Sequence, residues 1–353
     1  MGKEGVIESL VVGAGVSGAV LCAQLHIPCY DKARFPGGRT STSRNEKELP
    51  GFDKGATVLH KELQYKQNGI TQVFQLDSFL QNLSSTLEVE NIRGFQDKFY
   101  CKMGMNSIVL KLLENEAIHL QKKLTSVRRV CDHWELLFEE SDPIFVKKLI
   151  LTMPIPQVIS VMGNSLGQEW NSFLQPYQEY RPCLTITGIW KNIPHSITDP
   201  IHKLANFTFL ESGKDLEYIS IESEKYPNEH DICITLQMGE EFSQKNISNW
   251  MEDDKFPTPF AIQCSKSFFP SILKTRGIPL YQEPDFLRVH KWRFSQPVKS
   301  VFPTEGPLDF DSSIWKQYLY LCKSTSLVIT GDWVFGKRVI NTILGSWVLA
   351  KSL

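Results

Sequence analysis

Three glycines carry the first chemical signal, Gly13, Gly15 and Gly18 in the spacing Gly-x-Gly-x-x-Gly. In a strand-to-helix turn the first permits the tight bend. The second lets backbone approach a pyrophosphate, and the third lets helix pack on strand. Ala14, Val16 and Ser17, between the glycines, belong to the same loop and helix start, where free N–H groups and the positive dipole end favour phosphate. Asp31, with Lys32 beside it, ends the next apolar run and can accept hydrogen bonds from ribose hydroxyls. Pro36-Gly37-Gly38-Arg39 follows. Its glycines let the chain pass close to a ligand, and Arg39 can clamp a pyrophosphate oxygen by charge-assisted bonds. The plainer alternatives are a glycine-rich turn before an amphipathic helix and a surface turn with a solvated arginine.

These residues need elements to hold them. Ile7, Leu10, Val11 and Val12 read as a strand, residues 19–25 as a helix and residues 27–30 as a second strand, a βαβ opening. Residues 35–55 are polar and loop-like. Helices are expected over 76–87 and 106–116, the latter with Ile108, Leu112 and Leu113 on one face. Strands are expected over 117–120, 124–130, 134–138 and 148–153, the last stopped by Pro154-Ile155-Pro156. Residues 166–300 are rich in aromatics and prolines, and segments 184–190, 207–210, 218–222 and 232–237 alternate. They read as a largely antiparallel sheet with helices, a candidate substrate domain. The opening style returns at the C-terminus, with a strand over 327–330, a turn at Gly331-Asp332-Trp333 and a helix over 338–353. The expected fold is α/β, a Rossmann-like nucleotide domain with a second mixed-sheet domain. Residues 1–60, 100–165 and 322–353 are assigned to the first, and 61–99 with 166–321 to the second.

Composition narrows the function. The chain has 353 residues, 38 Lys and Arg against 39 Asp and Glu, and a net charge of −1. A general nucleic-acid binder would carry a basic excess. The most apolar long run, 6–25, is broken by Glu8, Ser9, Gln24 and the glycines, so no membrane span is expected. None of the eight cysteines forms a Cys-x-x-Cys pair, which speaks against a zinc site and for reduced thiols in the cytoplasm. No metal is expected. Neither a Gly-x-Ser-x-Gly elbow nor a His-Glu-x-x-His helix is present, so hydrolysis has no machinery.

Nicotinamide-dependent dehydrogenases do not usually need a Gly-Gly-Arg loop, whereas flavoproteins of the amine-oxidase type do. With the motifs around residues 12–18 and 31–39, Phe52-Asp53-Lys54-Gly55-Ala56, Leu151-Thr152-Met153-Pro154-Ile155-Pro156 and Lys291-Trp292-Arg293-Phe294-Ser295-Gln296, the chain resembles the renalases. They are a branch of the FAD-dependent amine oxidase superfamily. Gly331-Asp332-Trp333 with Arg338-Val339 is similar to the superfamily's terminal flavin-contact motif. The resemblance implies non-covalent FAD, held by the glycine motif, Asp31, Lys32, Gly38 and Arg39. It adds Gly55, Ala56 and Thr57 beside the isoalloxazine, Leu124 near adenine, Thr152 and Pro154 at a strand end, and Gly331, Asp332, Arg338 and Val339. Leu124 reads equally as a core strand residue, and Asp332 equally as a helix cap.

The resemblance also implies a reaction. Renalases oxidise aberrant dihydronicotinamide isomers (2- or 6-dihydro-NAD(P)) to NAD(P)+ by hydride transfer to FAD, and dioxygen becomes hydrogen peroxide. No protein base is required, since the cofactor carries the hard chemistry. Thr57, His290 and Trp292 are the pocket candidates, and Arg181, Lys291 or Arg293 could meet substrate phosphates. Trp292 reads equally as a core aromatic, and His290 as a structural histidine. An amine oxidase or other FAD-dependent oxidoreductase is the alternative, and a flavin-binding interaction protein without turnover is the second. Four departures stand out: a shortened first helix and second strand, Thr57-Val58 where the family has Gln-Tyr, Ile340-Asn341 for an acid or glycine, and Gly345-Ser346 for Ser-Gly.

Overall fold

A computed structural model describes residues 5–43, 51–83, 87–92, 96–204, 208–210, 215–224, 231–253, 256–275, 277–278 and 280–353. Its larger sheet contains β1 (Ile7–Val12), β2 (Cys29–Tyr30), β3 (Ile118–His119), β4 (Leu124–Val130), β5 (His133–Phe138), β6 (Ile144–Leu151) and the C-terminal β12 (Leu327–Ile329). The order is β3-β2-β1-β6-β5-β4, with β12 on β6. Strand β6 changes partner along its length. Its first half (Ile144 to Val146) pairs antiparallel with β5, and its second half (Leu149 to Leu151) pairs parallel with β12. On its other edge it runs parallel to β1. Leu10, Val11 and Val12 are buried on both faces, as an apolar run in a covered parallel sheet requires.

Helix α1 (Val16–Leu25) returns the chain from β1 to β2 and stops at His26, which is left-handed at φ 52° and donates its N–H to Cys22 O. The expected strand over 27–30 is only Cys29–Tyr30, because Pro28 has no N–H for the ladder. Short as it is, β2 pairs with β1 and with β3, and the Tyr30 ring stacks on His119 at 4.3 Å.

The smaller sheet is antiparallel throughout and is built from β7 (Tyr180–Trp190), β8 (Thr208–Leu210), β9 (Leu216–Ile221), β10 (Ile232–Met238) and β11 (Phe286–Pro297), in the order β8-β9-β10-β7-β11. Strand alternation gives it two unlike faces. Leu184, Ile186, Ile219, Ile234 and Leu236 pack with Phe269 and Leu273 of α2 (Pro259–Thr275). The opposite face is polar: Tyr218, Gln237, Thr185 and His290 stand in register across four strands, with Ser220, Thr235, Thr187 and Arg288 in the next row. Thr187 and Thr235 share a hydroxyl–hydroxyl bond of 2.9 Å.

Several expectations move. The helix over 76–87 is Leu76–Leu83, with 84–86 outside the described residues, and that over 106–116 is Ser107–Leu112. Phe207 also lies outside the described residues. Helix α2, with Pro270 in its interior, and the hairpin Glu62–Gln67 to Ile70–Gln75 carried no clear sequence pattern. The division at 165/166 does not follow the packing. Leu63, Leu76, Leu80, Phe99, Trp170, Phe173, Phe310 and Trp315 share a core with Leu10 and Leu149 rather than with the smaller sheet. Among the described residues all eight cysteines are free thiols, no cluster could hold a metal, and no helix is long and apolar enough to cross a membrane.

Candidate cofactor site

The C-terminal ends of β1, β6 and β12 converge on the glycine motif. Gly13 has φ +114°, and its N–H reaches Tyr30 O at 2.8 Å. A Cβ there would lie 2.3 Å from Thr152 Oγ1, whose hydroxyl is 3.0 Å from Gly13 O and 3.1 Å from Val12 O. A Cβ on Gly18 would meet Gly13 O at 1.8 Å. Two of the three glycines therefore serve internal packing, and Thr152 shapes the loop. Gly15 is different. A Cβ there would meet nothing nearer than the Gly38 Cα at 4.0 Å, so that side of the backbone faces open space. The Ser17 hydroxyl is bonded to Ser346 of the helix α4 (Val339–Ser352) at 2.8 Å, leaving only its N–H to face outward.

Asp31 closes this loop from the side. Its Oδ2 accepts from Ala14 N at 2.6 Å and its Oδ1 from Ala33 N at 2.7 Å, and each oxygen keeps a further lone pair for a hydroxyl. Lys32 is exposed. The second glycine loop lies on the first through Gly37 N to Ala14 O, 2.8 Å. Among the described residues the amides of Gly15, Gly38, Arg39 and Gly55 have no acceptor. With the first-turn amides of α1, these open donors suit an anion such as a pyrophosphate.

The Arg39 guanidinium is held from the protein side through one of its nitrogens. Its Nη1 is paired with Asp332 Oδ2 and donates to Ser295 O at 3.1 Å. Burial opposes its charge, but the Asp332 carboxylate outweighs that and holds the pKa above its ordinary value. Asp332 does not act as a helix cap. Its carboxylate joins the C-terminal motif to the Gly-Gly-Arg loop, and it begins the short helix α3 (Asp332–Phe335) without capping it; Gly331, at φ +144°, is the N-cap. The Arg338 side chain turns to Glu305, and Val339 opens α4. Leu124 is buried at the first pair of β4 with Phe138, and Pro154 caps the helix Ile155–Met162. The Gly345-Ser346 order follows from contacts on both sides: a Cβ on Gly345 would enter the Phe335 ring at 2.1 Å, while Ser346 bonds Ser17. Asn341 donates to Phe335 O at 3.0 Å.

The loop 53–57 lies between the two sheets. On one side, Lys54 N donates to Ser41 O at 3.0 Å and Ala56 N to Arg39 O at 2.9 Å. A Cβ on Gly55 would meet Arg39 O at 2.1 Å. On the other side the polar face of the smaller sheet takes hold: Trp292 Nε1 donates to Lys54 O at 3.0 Å, Gln237 Nε2 to Gly55 O at 2.5 Å, and Thr57 Oγ1 to Tyr218 OH at 2.7 Å. Buried Glu222 accepts from Asp53 N at 2.9 Å. The structure thus brings Thr57, Trp292 and His290 to one place, with His290 edge-on to Trp292 at 4.3 Å. Of the expected phosphate contacts, Arg181 pairs with Glu240, and Lys291 stands opposite Leu184 on the other face of the sheet. Tyr218, Gln237 and Glu222 had no sequence signal. Their placement depends on strand register across elements far apart in the chain.

Known proteins resemble this chain in sequence and in fold. Residues 11–74 match the NAD(P)-binding Rossmann-like domain family. Over 321 residues the chain is 22% identical to mouse (Mus musculus) renalase, covering 85% of this chain and 88% of that protein. Its fold is similar to that of a putrescine oxidase triple mutant, with a TM-score of 0.63, 10% identity and 98% of each chain covered. It is also similar to cyclohexylamine oxidase from Brevibacterium oxydans IH-35A, with a TM-score of 0.62, 9% identity and 98% of each chain covered. The chain thus carries a Rossmann-like glycine-motif domain, is similar to a renalase along most of its length, and shares its two-sheet fold with putrescine oxidase and cyclohexylamine oxidase.

Proposed function

We propose that the protein is an FAD-dependent oxidase that converts aberrant dihydronicotinamide isomers to NAD(P)+. FAD, when bound, supplies the two-electron acceptor. The chain offers it a fitting cradle: open amides at Gly15, Gly38 and Arg39 for the pyrophosphate, spare Asp31 lone pairs for the ribose, and the Gly55 amide in a loop with no room for a Cβ. Lys32, Leu124, Thr152, Pro154, Gly331, Asp332, Arg338 and Val339 border this cradle or support it. We assign residues 178–297 to the substrate unit on their packing and place the protein in the cytoplasm.

One observation carries the choice of substrate. The face of the smaller sheet that grips loop 53–57 sets hydroxyl, amide, imidazole and guanidinium groups beside the rings of Tyr218 and Trp292. Such a floor suits a polar ring bearing a carboxamide better than an alkylamine. The protein's work is to hold the dihydropyridine at near-attack distance and exclude water. The donor gives up a hydride and leaves as the aromatic pyridinium. Dioxygen then takes two electrons and two protons and leaves as hydrogen peroxide. Neither half requires a side-chain base.

The test is an anaerobic titration of the purified protein, following flavin absorbance, with 6-dihydro-NAD, β-NADH and a primary amine in separate samples. Rapid bleaching by the 6-dihydro isomer alone supports the proposal. Bleaching by the amine alone moves the protein to the amine oxidases, and no bleaching refutes both.

A further inference from the structure

We infer that Glu222 is a positioning residue for the cofactor-facing loop 53–57, acting through the Asp53 peptide. The inference rests on the proposal that this loop faces FAD. Glu222 follows β9 and is fully buried, 0% exposed. One carboxylate oxygen accepts from Asp53 N at 2.9 Å, and the other takes the hydroxyl of Ser220. Asp53, also 0% exposed, is bound on its far side by the nucleotide domain: its Oδ1 accepts from Thr42 Oγ1 at 2.6 Å and Met105 N at 3.0 Å. Asp53, two residues before Gly55, is therefore held by Glu222 at its N–H and by Thr42 and Met105 at its own carboxylate. Gln237 and Trp292 fix the next two carbonyls. With its neighbours on both sides fixed, the open Gly55 amide has one direction to point, and that direction is set in part by Glu222. A site is only as well placed as the shell that supports it. Asp53 and Glu222 lie 169 residues apart in sequence, so this shell exists only in the folded chain.

The experiment measures FAD affinity of the flavin-free protein by fluorescence quenching, for wild type, Glu222→Ala, Glu222→Gln, Gln237→Ala and the double alanine variant. The amide oxygen of Glu222→Gln still accepts from Asp53 N–H, so its affinity should stay within about threefold of wild type. Glu222→Ala should weaken FAD by about tenfold, the loss of one bond to a charged group. Its effect should not add to that of Gln237→Ala, since both act on one loop. Amide exchange of residues 53–55 in flavin-free protein should be faster in Glu222→Ala and unchanged in Glu222→Gln. Unchanged affinity in Glu222→Ala, additive effects, or equal losses in both Glu222 variants would overturn the inference. If wild type itself takes up no FAD, the proposed function fails, and the exchange measurement alone still decides whether Glu222 orders the loop. Should Glu222→Ala not fold, Glu222→Asp, one methylene too short for the 2.9 Å bond, replaces it with the same expected loss.

Discussion

Replacing Arg39 by methionine tests the joint between the two ends of the chain. The substitution keeps most of the stem and removes the charge that faces Asp332. In the folded protein the Arg39 side chain is 31% exposed and that of Asp332 only 10%. An exposed pair contributes at most about 1 kcal/mol. A buried pair broken on one side costs about 3–5 kcal/mol, because the stranded charge remains desolvated. This pair lies between, nearer the buried end at Asp332, and Arg39 also loses its bond to Ser295 O. The expected destabilisation is about 2–4 kcal/mol. The assay is urea unfolding of flavin-free protein at neutral pH for Arg39→Met, Asp332→Asn and the double variant. The double variant strands no charge, so it should be more stable than the sum of the single losses predicts, with a coupling of at least about 1.5 kcal/mol. Flavin retention of Arg39→Met after gel filtration should fall, because the Gly331-Asp332 end is released from the Gly-Gly-Arg loop. A loss under about 0.5 kcal/mol for Arg39→Met, or strictly additive losses, would refute the argument.

Further outcomes follow from the same contacts. Gly18→Ala drives a Cβ to 1.8 Å from a backbone oxygen that cannot rotate away, so it should abolish flavin uptake or folding; a flavin-replete variant would show that the loop yields. Gly345→Ala should destabilise, and Phe335→Leu should recover part of the loss, because the clash is with that ring at 2.1 Å; melting temperatures of the pair decide it. Burial lowers the pKa of Lys54 below its ordinary value. The unfolded chain then binds more protons than the folded one between the two pKa values, so stability rises with pH across that window. Lys54→Met should therefore melt higher than wild type at neutral pH, and the gap should close as pH climbs past the folded pKa towards about 10.4. An unchanged gap across that range would count against a desolvated ammonium. Acid precipitation should release the flavin into the supernatant, and retention on the pellet would overturn non-covalent binding.

Much of the nucleotide side was legible because its chemistry is local. The glycine motif, Asp31 and the Gly-Gly-Arg loop lie within 27 consecutive residues, and short-range sterics dictate their roles, as the Cβ distances at Gly13 and Gly18 make concrete. The apolar run of β1 announced itself in the same way, while Pro28 shortened β2 for a reason visible in its own ring. What local pattern could not supply was partnership. Arg39 and Asp332 are 293 residues apart, and Glu222 and Asp53 are 169 apart. A charged side chain takes the partner the fold places nearest, and desolvation makes that choice strong. Strand register likewise set which face of the smaller sheet is polar and brought Tyr218, Gln237 and His290 into one row. The sequence by itself determined the Rossmann-like glycine-motif unit and the resemblance to the renalases. Only the tertiary structure decided which side chains remain open to a ligand and which are consumed in holding the two sheets together, because hydrogen-bond and charge pairing across the fold are settled by distance in space.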